Sequence, residues 1–221
     1  MDKRFLAILG ALIILFIGIF AISSHKNNPP STSSGQPSNH VEGEGSTGVK
    51  LVEYGDYECP VCADYYPAVK QAAAQFNAQI YYQFRNLPLI QIHQNAFAGA
   101  RAAEAASLQG KFWQMHDALY VNQSQWSTSS NPLTFFDSYA KSLDLNMSKF
   151  NSDYSGDTAN NSINADLAAF NKTGQPEATP TFFLDGKYVP NQQLIDSSTG
   201  SPSVAKFASV INAEIATKTK K

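Results

Sequence analysis

Cysteine, histidine pairs and charge of one sign are all scarce in this 221-residue chain. Cys59 and Cys62 are its only cysteines, which excludes a scaffold held by several disulfides and a four-cysteine zinc site. The four histidines, at 25, 40, 93 and 116, include no His-x(3–5)-His pair. A zinc site at the two thiols would have to recruit His93, His116 or carboxylates such as Asp56 and Glu58, so no metal and no cofactor are expected. Lys and Arg number 16 against 18 Asp and Glu, with no basic stripe interleaved with aromatics, which sets nucleic-acid binding aside. A hydrophobic fraction of 43% is enough for one packed core.

Charge is also missing from Phe5 to Ile22, an unbroken apolar run behind Lys3 and Arg4. Its 18 residues would rise about 27 Å as a helix, the thickness of a hydrocarbon core. A cleavable signal has a shorter apolar region and a clearer cleavage site than Ala21-Ile22-Ser23. We therefore expect an uncleaved transmembrane anchor at 5–22, with 1–4 in the cytoplasm and the remainder outside it. Residues 23–48 are rich in Ser, Pro, Gly and Asn and are expected to form a flexible linker. The folded domain should span 49–217, and 218–221 should be a frayed basic tail.

Within the domain, Val49–Tyr54 alternates apolar and polar residues as a strand does. Ala63–Phe76 reads as a helix and Ile80–Phe84 as a second strand. From about 90 to 172 the patterns are helical, including Leu133–Leu143 and a further helix within Ser148–Phe170. Thr181–Leu184 is a short buried strand, and Asp185-Gly186 signals a hairpin into Lys187-Tyr188-Val189. Val204–Ala216 closes the domain as an amphipathic helix. The order β-α-β, helical block, β-β-α predicts an α/β fold with one mixed central sheet and a helical subdomain beside it.

Cys59-Pro60-Val61-Cys62 falls where the first strand gives way to the first helix. Redox chemistry requires a thiolate near neutral pH, and hence a pKa below the free value of about 8.5. A helix N-terminus favours that anion through its unpaired N–H groups and dipole. Pro60 suits the first helical position, where a missing N–H costs nothing. An inert structural disulfide stays open, although so small a ring constrains little unfolded-chain entropy. Pro67 lies inside the expected helix, which either ends there or continues with a kink. His116, on an apolar stripe, reads as a packed structural histidine.

Together, Glu53-Tyr54-Gly55-Asp56-Tyr57-Glu58-Cys59-Pro60-Val61-Cys62 with Pro67, His93-Gln94-Asn95-Ala96-Phe97-Ala98, Lys111-Phe112-Trp113-Gln114-Met115-His116-Asp117 and Thr179-Pro180-Thr181-Phe182-Phe183-Leu184-Asp185-Gly186 resemble the DsbA-like thiol-disulfide oxidoreductases of the thioredoxin superfamily. The resemblance spans about Val49 to Ala216 and implies a thioredoxin fold with a helical insertion. It implies that Cys59 is the nucleophile and Cys62 the resolving thiol. It also implies that Pro180 is a cis-proline facing them, preceded by a tuning residue, Thr179. Val61 departs from the best-known DsbA proteins, which carry histidine there, and removes a potential donor to the Cys59 thiolate. We therefore expect Cys59 to be acidified less than the value of about 3.5 known for DsbA. The couple should lie between roughly −270 mV (thioredoxin) and roughly −120 mV (DsbA).

These readings describe an extracytoplasmic, membrane-anchored oxidase acting as a monomer on cysteine-containing secreted proteins. The resemblance implies reoxidation by a quinone-linked membrane partner of the DsbB or VKOR type. A reductase or isomerase using the same residues, or a binding or chaperone module with an inert disulfide, are the alternatives.

Overall fold

The structure is a computed structural model that describes residues 36–219. The expected anchor at 5–22, the N-terminal 1–4 and the first part of the expected linker lie outside the described residues. Among the described residues no helix is long and apolar enough to cross a membrane.

Among the described residues five strands form one sheet: β1 (His40–Glu42), β2 (Val49–Gly55), β3 (Ile80–Asn86), β4 (Thr181–Leu184) and β5 (Lys187–Val189). Their spatial order is β1-β3-β2-β4-β5, with β2 and β3 parallel and the other pairs antiparallel. Helix α1 (Pro60–Gln75) is the crossover between β2 and β3. It begins at Pro60, three residues before the expected start, and continues through Pro67. Asp185 and Gly186 both take positive φ, 49° and 77°, as the tight β4–β5 turn requires.

Between β3 and β4 lie α2 (Ala96–Ser107), α3 (Phe112–Val121), the one-turn α4 (Gln123–Trp126), α5 (Leu133–Ser142), α6 (Met147–Ser155) and α7 (Asp157–Asn171). The helix expected within Ser148–Phe170 is thus two helices, divided at Gly156. The last helix is α8 (Val204–Lys218). Apolar residues gather in two principal clusters. One holds Val49, Leu51, Val69, Phe182, Phe207 and Ile211, between the sheet, α1 and α8. The other holds Met115, Trp126, Phe136, Phe150 and Tyr57, and joins the helical block to the turn before α1. Gly55 allows that approach, because a Cβ there would stand 2.5 Å from the Phe84 ring.

The linker expectation is corrected over residues 36–48. Its composition is polar, but β1 pairs with β3, and Ser38 is buried against a carboxylate from the helical block. Asp166 accepts from Ser38 N (2.8 Å), Ser38 Oγ (2.6 Å) and Asn86 N (2.9 Å), and pairs with Arg85 at 3.3 Å. His40 adds a 2.8 Å contact to Glu104 and stacks on Phe112. Polar partners rather than apolar burial fix this segment, which is why hydropathy reads it as a tether. The basic-tail expectation is corrected at Lys218, which ends α8 and ion-pairs with Asp185 at 2.7 Å.

Asp166→Ala would leave the amides of Ser38 and Asn86 without an acceptor and Ser38 Oγ with only Phe84 O at 3.5 Å, at a cost of about 2 kcal/mol or more. Chemical denaturation should show that loss, and limited proteolysis should show new cleavage before Gly48 in the variant only.

Candidate active site

Cys59 caps α1 with extended backbone, φ −66° and ψ 120°, so the N–H groups of the first turn converge beside its sulfur. Its own amide donates to Asp56 O at 3.2 Å, and its carbonyl accepts from Ala63 N at 3.2 Å. Cys59 is 5% exposed and Cys62 fully buried, and both are free thiols. The Thr179–Pro180 bond is cis, and Thr179 O lies 3.5 Å from Cys59 Sγ. The structure thus gathers Cys59, Pro60, Val61, Cys62, Thr179 and Pro180 at one place.

The two sulfurs titrate in opposite directions. The Cys59 pKa is lowered to about 6, chiefly by a hydrogen bond from the Cys62 thiol. Burial opposes the shift, while the Thr179 side chain and the backbone N–H groups of Cys62 and Val61 add to it. The Thr179 hydroxyl has no other partner, so it can turn as donor toward the thiolate. When Cys59 is protonated, its S–H instead points to Thr179 O. Cys62 is pushed well above its ordinary value by burial, and further by Cys59 and by Glu53. The largest stabiliser of the thiolate is therefore the neighbouring thiol rather than the helix terminus alone.

Sequence reasoning missed Glu53. It is 2% exposed on β2, accepts from Tyr82 Oη at 2.6 Å, and burial raises its pKa to about 7. The signal was present, because Val49, Leu51 and Glu53 share one strand face and that face is the buried one. A cavity of about 60 Å³ lined by Glu53, Tyr82, Tyr66, Lys70, His116 and Asp117 leads outward from it. His116 is buried with its pKa lowered to about 3 by desolvation, and its Nδ1 lies 3.1 Å from Tyr57 Oη, a packing role as expected. Asp56 was also missed as an organiser. It accepts from Glu58 N at 2.8 Å and Leu89 N at 3.0 Å, and meets His93 Nδ1 at 2.6 Å.

Exposed aliphatic side chains occur on the CxxC turn itself (Val61), on the loop that Asp56 holds through Leu89 and His93 (Ile90 and Ile92), and at the end of α3 (Val121). Val61, Ile90, Ile92 and Val121 are 46%, 57%, 73% and 69% exposed. Among the described residues no group of three or more His, Cys, Asp or Glu side chains is placed to hold a metal ion.

The fold and the paired thiols at its first helix start define a thioredoxin-type domain. A family model described as Thioredoxin matches residues 35–209, and the chain belongs to that family. Its fold is that of solved DsbA-type proteins. BdbD from Bacillus subtilis superposes with a TM-score of 0.66 at 21% identity, over 82% of this chain and 96% of that one. A thioredoxin-like oxidoreductase from Silicibacter pomeroyi gives 0.63 at 23% identity, over 84% and 96%. Alpha-DsbA1 from Wolbachia pipientis gives 0.63 at 20%, over 83% and 94%. Among curated proteins, Na(+)/H(+) antiporter NhaA 1 of Salinispora arenicola is 39% identical over 153 residues, 67% of this chain and 22% of that protein. Its namesake in Mycolicibacterium gilvum is 34% identical over 150 residues, 67% and 23%. The chain spans under a quarter of these relatives' length, so the transport named for them is not carried over.

Two measurements check these electrostatics. Iodoacetamide should alkylate Cys59 with a midpoint near pH 6 and leave Cys62 unreacted through neutral pH. Glu53 ionises near 4.5 unfolded and near 7 folded, so stability should fall as pH rises across that window and then level off. Glu53→Gln keeps an acceptor for Tyr82 and should gain up to roughly 3 kcal/mol above that window. Below it the gain should vanish, as denaturation at the two pH extremes would show.

Proposed function

We propose that the chain is a protein thiol-disulfide oxidoreductase working chiefly as an oxidase, with Cys59 as nucleophile and Cys62 as resolving thiol. The observation that carries this reading is the opposed titration of the two sulfurs. Starting from the Cys59–Cys62 disulfide, a substrate thiolate attacks Cys59 Sγ. The enzyme disulfide breaks, a mixed disulfide forms, and Cys62 leaves as a thiolate. Cys62 then takes a proton, because burial makes its anion costly. Glu53, half-protonated near neutral pH, is the nearby acid able to supply it. A second substrate thiolate attacks the substrate sulfur of the mixed disulfide and expels Cys59 as a thiolate. The substrate gains a disulfide and the enzyme ends as the dithiol.

The released Cys59 anion is stabilised where it forms, which favours the reduced enzyme and makes the disulfide form an oxidant. Exposed Val61, two residues from Cys59, suits an unfolded chain carrying apolar side chains next to its cysteines. The aromatics of this region, such as Tyr57 and Tyr120, are buried. The charge-free run Phe5–Ile22 supports placing the domain outside the cytoplasm on a single-pass anchor. In that setting the substrates are secreted or surface proteins, and reoxidation falls to a quinone-linked membrane partner of the DsbB or VKOR type.

Cys62→Ala should accumulate mixed disulfides through Cys59 when the oxidised chain is replaced by this variant and offered disulfide-bearing partners. Wild type, oxidised, should introduce a disulfide into a reduced two-cysteine peptide stoichiometrically. Absence of trapped species together with no peptide oxidation would instead indicate a binding module with an inert pair.

A further inference from the structure

Tyr57 and Cys59, which flank the turn into α1, both direct carbonyl oxygens toward the helical insertion. Gln123, the first residue of α4, meets them with one amide group. Its Nε2 donates to Tyr57 O at 2.8 Å and to Cys59 O at 2.9 Å, so both amide protons are used. Tyr57 is buried, and among the described residues no backbone N–H donates to its carbonyl. We propose that Gln123 is a positioning residue for the Cys59 thiolate, through which the helical insertion sets the reactivity of the CxxC turn. This rests on Cys59 being the nucleophile.

Gln123 is itself firmly placed. Trp126, three residues on, is fully buried and its Nε1 donates to Leu119 O at 2.9 Å. Asn95 holds the end of the same turn through Nδ2, to Ser127 O at 2.8 Å and Ser129 O at 2.9 Å. The backbone N–H of Asn95 donates to Glu58 Oε2, so residues 57–59 are gripped from two sides by the insertion.

The consequence for Cys59 is geometric and electrostatic. The carbonyls of Tyr57 and Cys59 carry partial negative charge close to the sulfur, and the amide protons of Gln123 offset it. Without them Tyr57 O is a buried acceptor with no donor. A turn that rotates to find that oxygen another donor takes the sulfur off the N–H groups of Val61 and Cys62. A removed donor therefore weakens the anion twice, directly and through lost alignment.

The test uses the full chain with Gln123→Met, which has nearly the same length and no amide, and Gln123→Glu, which places a carboxylate against the two carbonyls. Gln125→Met is the control, because Gln125 is exposed on the same turn and its side chain bonds only to Asn122 Oδ1. The Cys59 midpoint, read by thiolate absorbance against pH, should rise by about half to one unit in Gln123→Met and further in Gln123→Glu. The equilibrium constant against glutathione should fall about three- to tenfold with it. Gln125→Met should leave both unchanged. A Gln123→Met protein with a lowered melting temperature but an unmoved Cys59 midpoint would overturn the proposal, as would an equal shift in Gln125→Met. Should Gln123→Glu not fold, Gln123→Met decides alone. The titration reads Cys59 directly, so it stands whether or not the chain oxidises peptides.

Discussion

The thiol of buried Cys62, one turn below Cys59, is the chief stabiliser of the Cys59 thiolate, and the site depends on that pairing. It exists only because the two sulfurs differ in environment. Cys59 sits at the helix start among free N–H groups and beside Thr179, whereas Cys62 is one turn deeper with no exposure at all. Desolvation keeps Cys62 protonated, and a protonated neighbour is what an anion needs. The sheet contributes by placing β4, and with it Thr179 and Pro180, against the end of β2. The same sheet places Glu53 on the inner face of β2, where burial holds its pKa near 7. A carboxyl tuned to that range can exchange protons with a deep thiol at neutral pH, and the cavity beside it reaches toward Lys70 and Asp117.

The helical insertion does more than cover the sheet. Its cluster includes Tyr57 and Cys62, so the redox turn is part of the insertion's own core. Asp56 and Glu58 tie the loop between β3 and α2 to the same turn through Leu89, His93 and Asn95. That loop presents Ile90 and Ile92 to solvent. Anchoring by two carboxylates lets a rigid edge carry exposed apolar side chains that a mobile loop would fold away.

Much of this was legible in the sequence where short-range physics decides. The element order, the Asp185-Gly186 turn and the pairing of Cys59 with a helix start follow from periodicity and local geometry. Pro67 left two readings open, and packing along α1 settled them in favour of a continuous helix. The segment 36–48 was misread because Ser38 and His40 are held by Asp166 and Glu104, partners more than 60 residues away. Glu53 could have been found by asking which face of β2 is buried. Gln123 could not, since its partners are backbone carbonyls that leave no mark in side-chain patterns.

The most direct test of the account is the equilibrium potential of the Cys59–Cys62 couple against glutathione, followed from pH 5 to pH 8. A stabilised Cys59 thiolate predicts a value at pH 7 between roughly −270 and −120 mV. It also predicts a bend near pH 6, where the slope halves from about 59 to about 30 mV per pH unit as Cys59 ceases to take up a proton. A potential at or below the thioredoxin value, with the two-proton slope unbroken through pH 8, would contradict it.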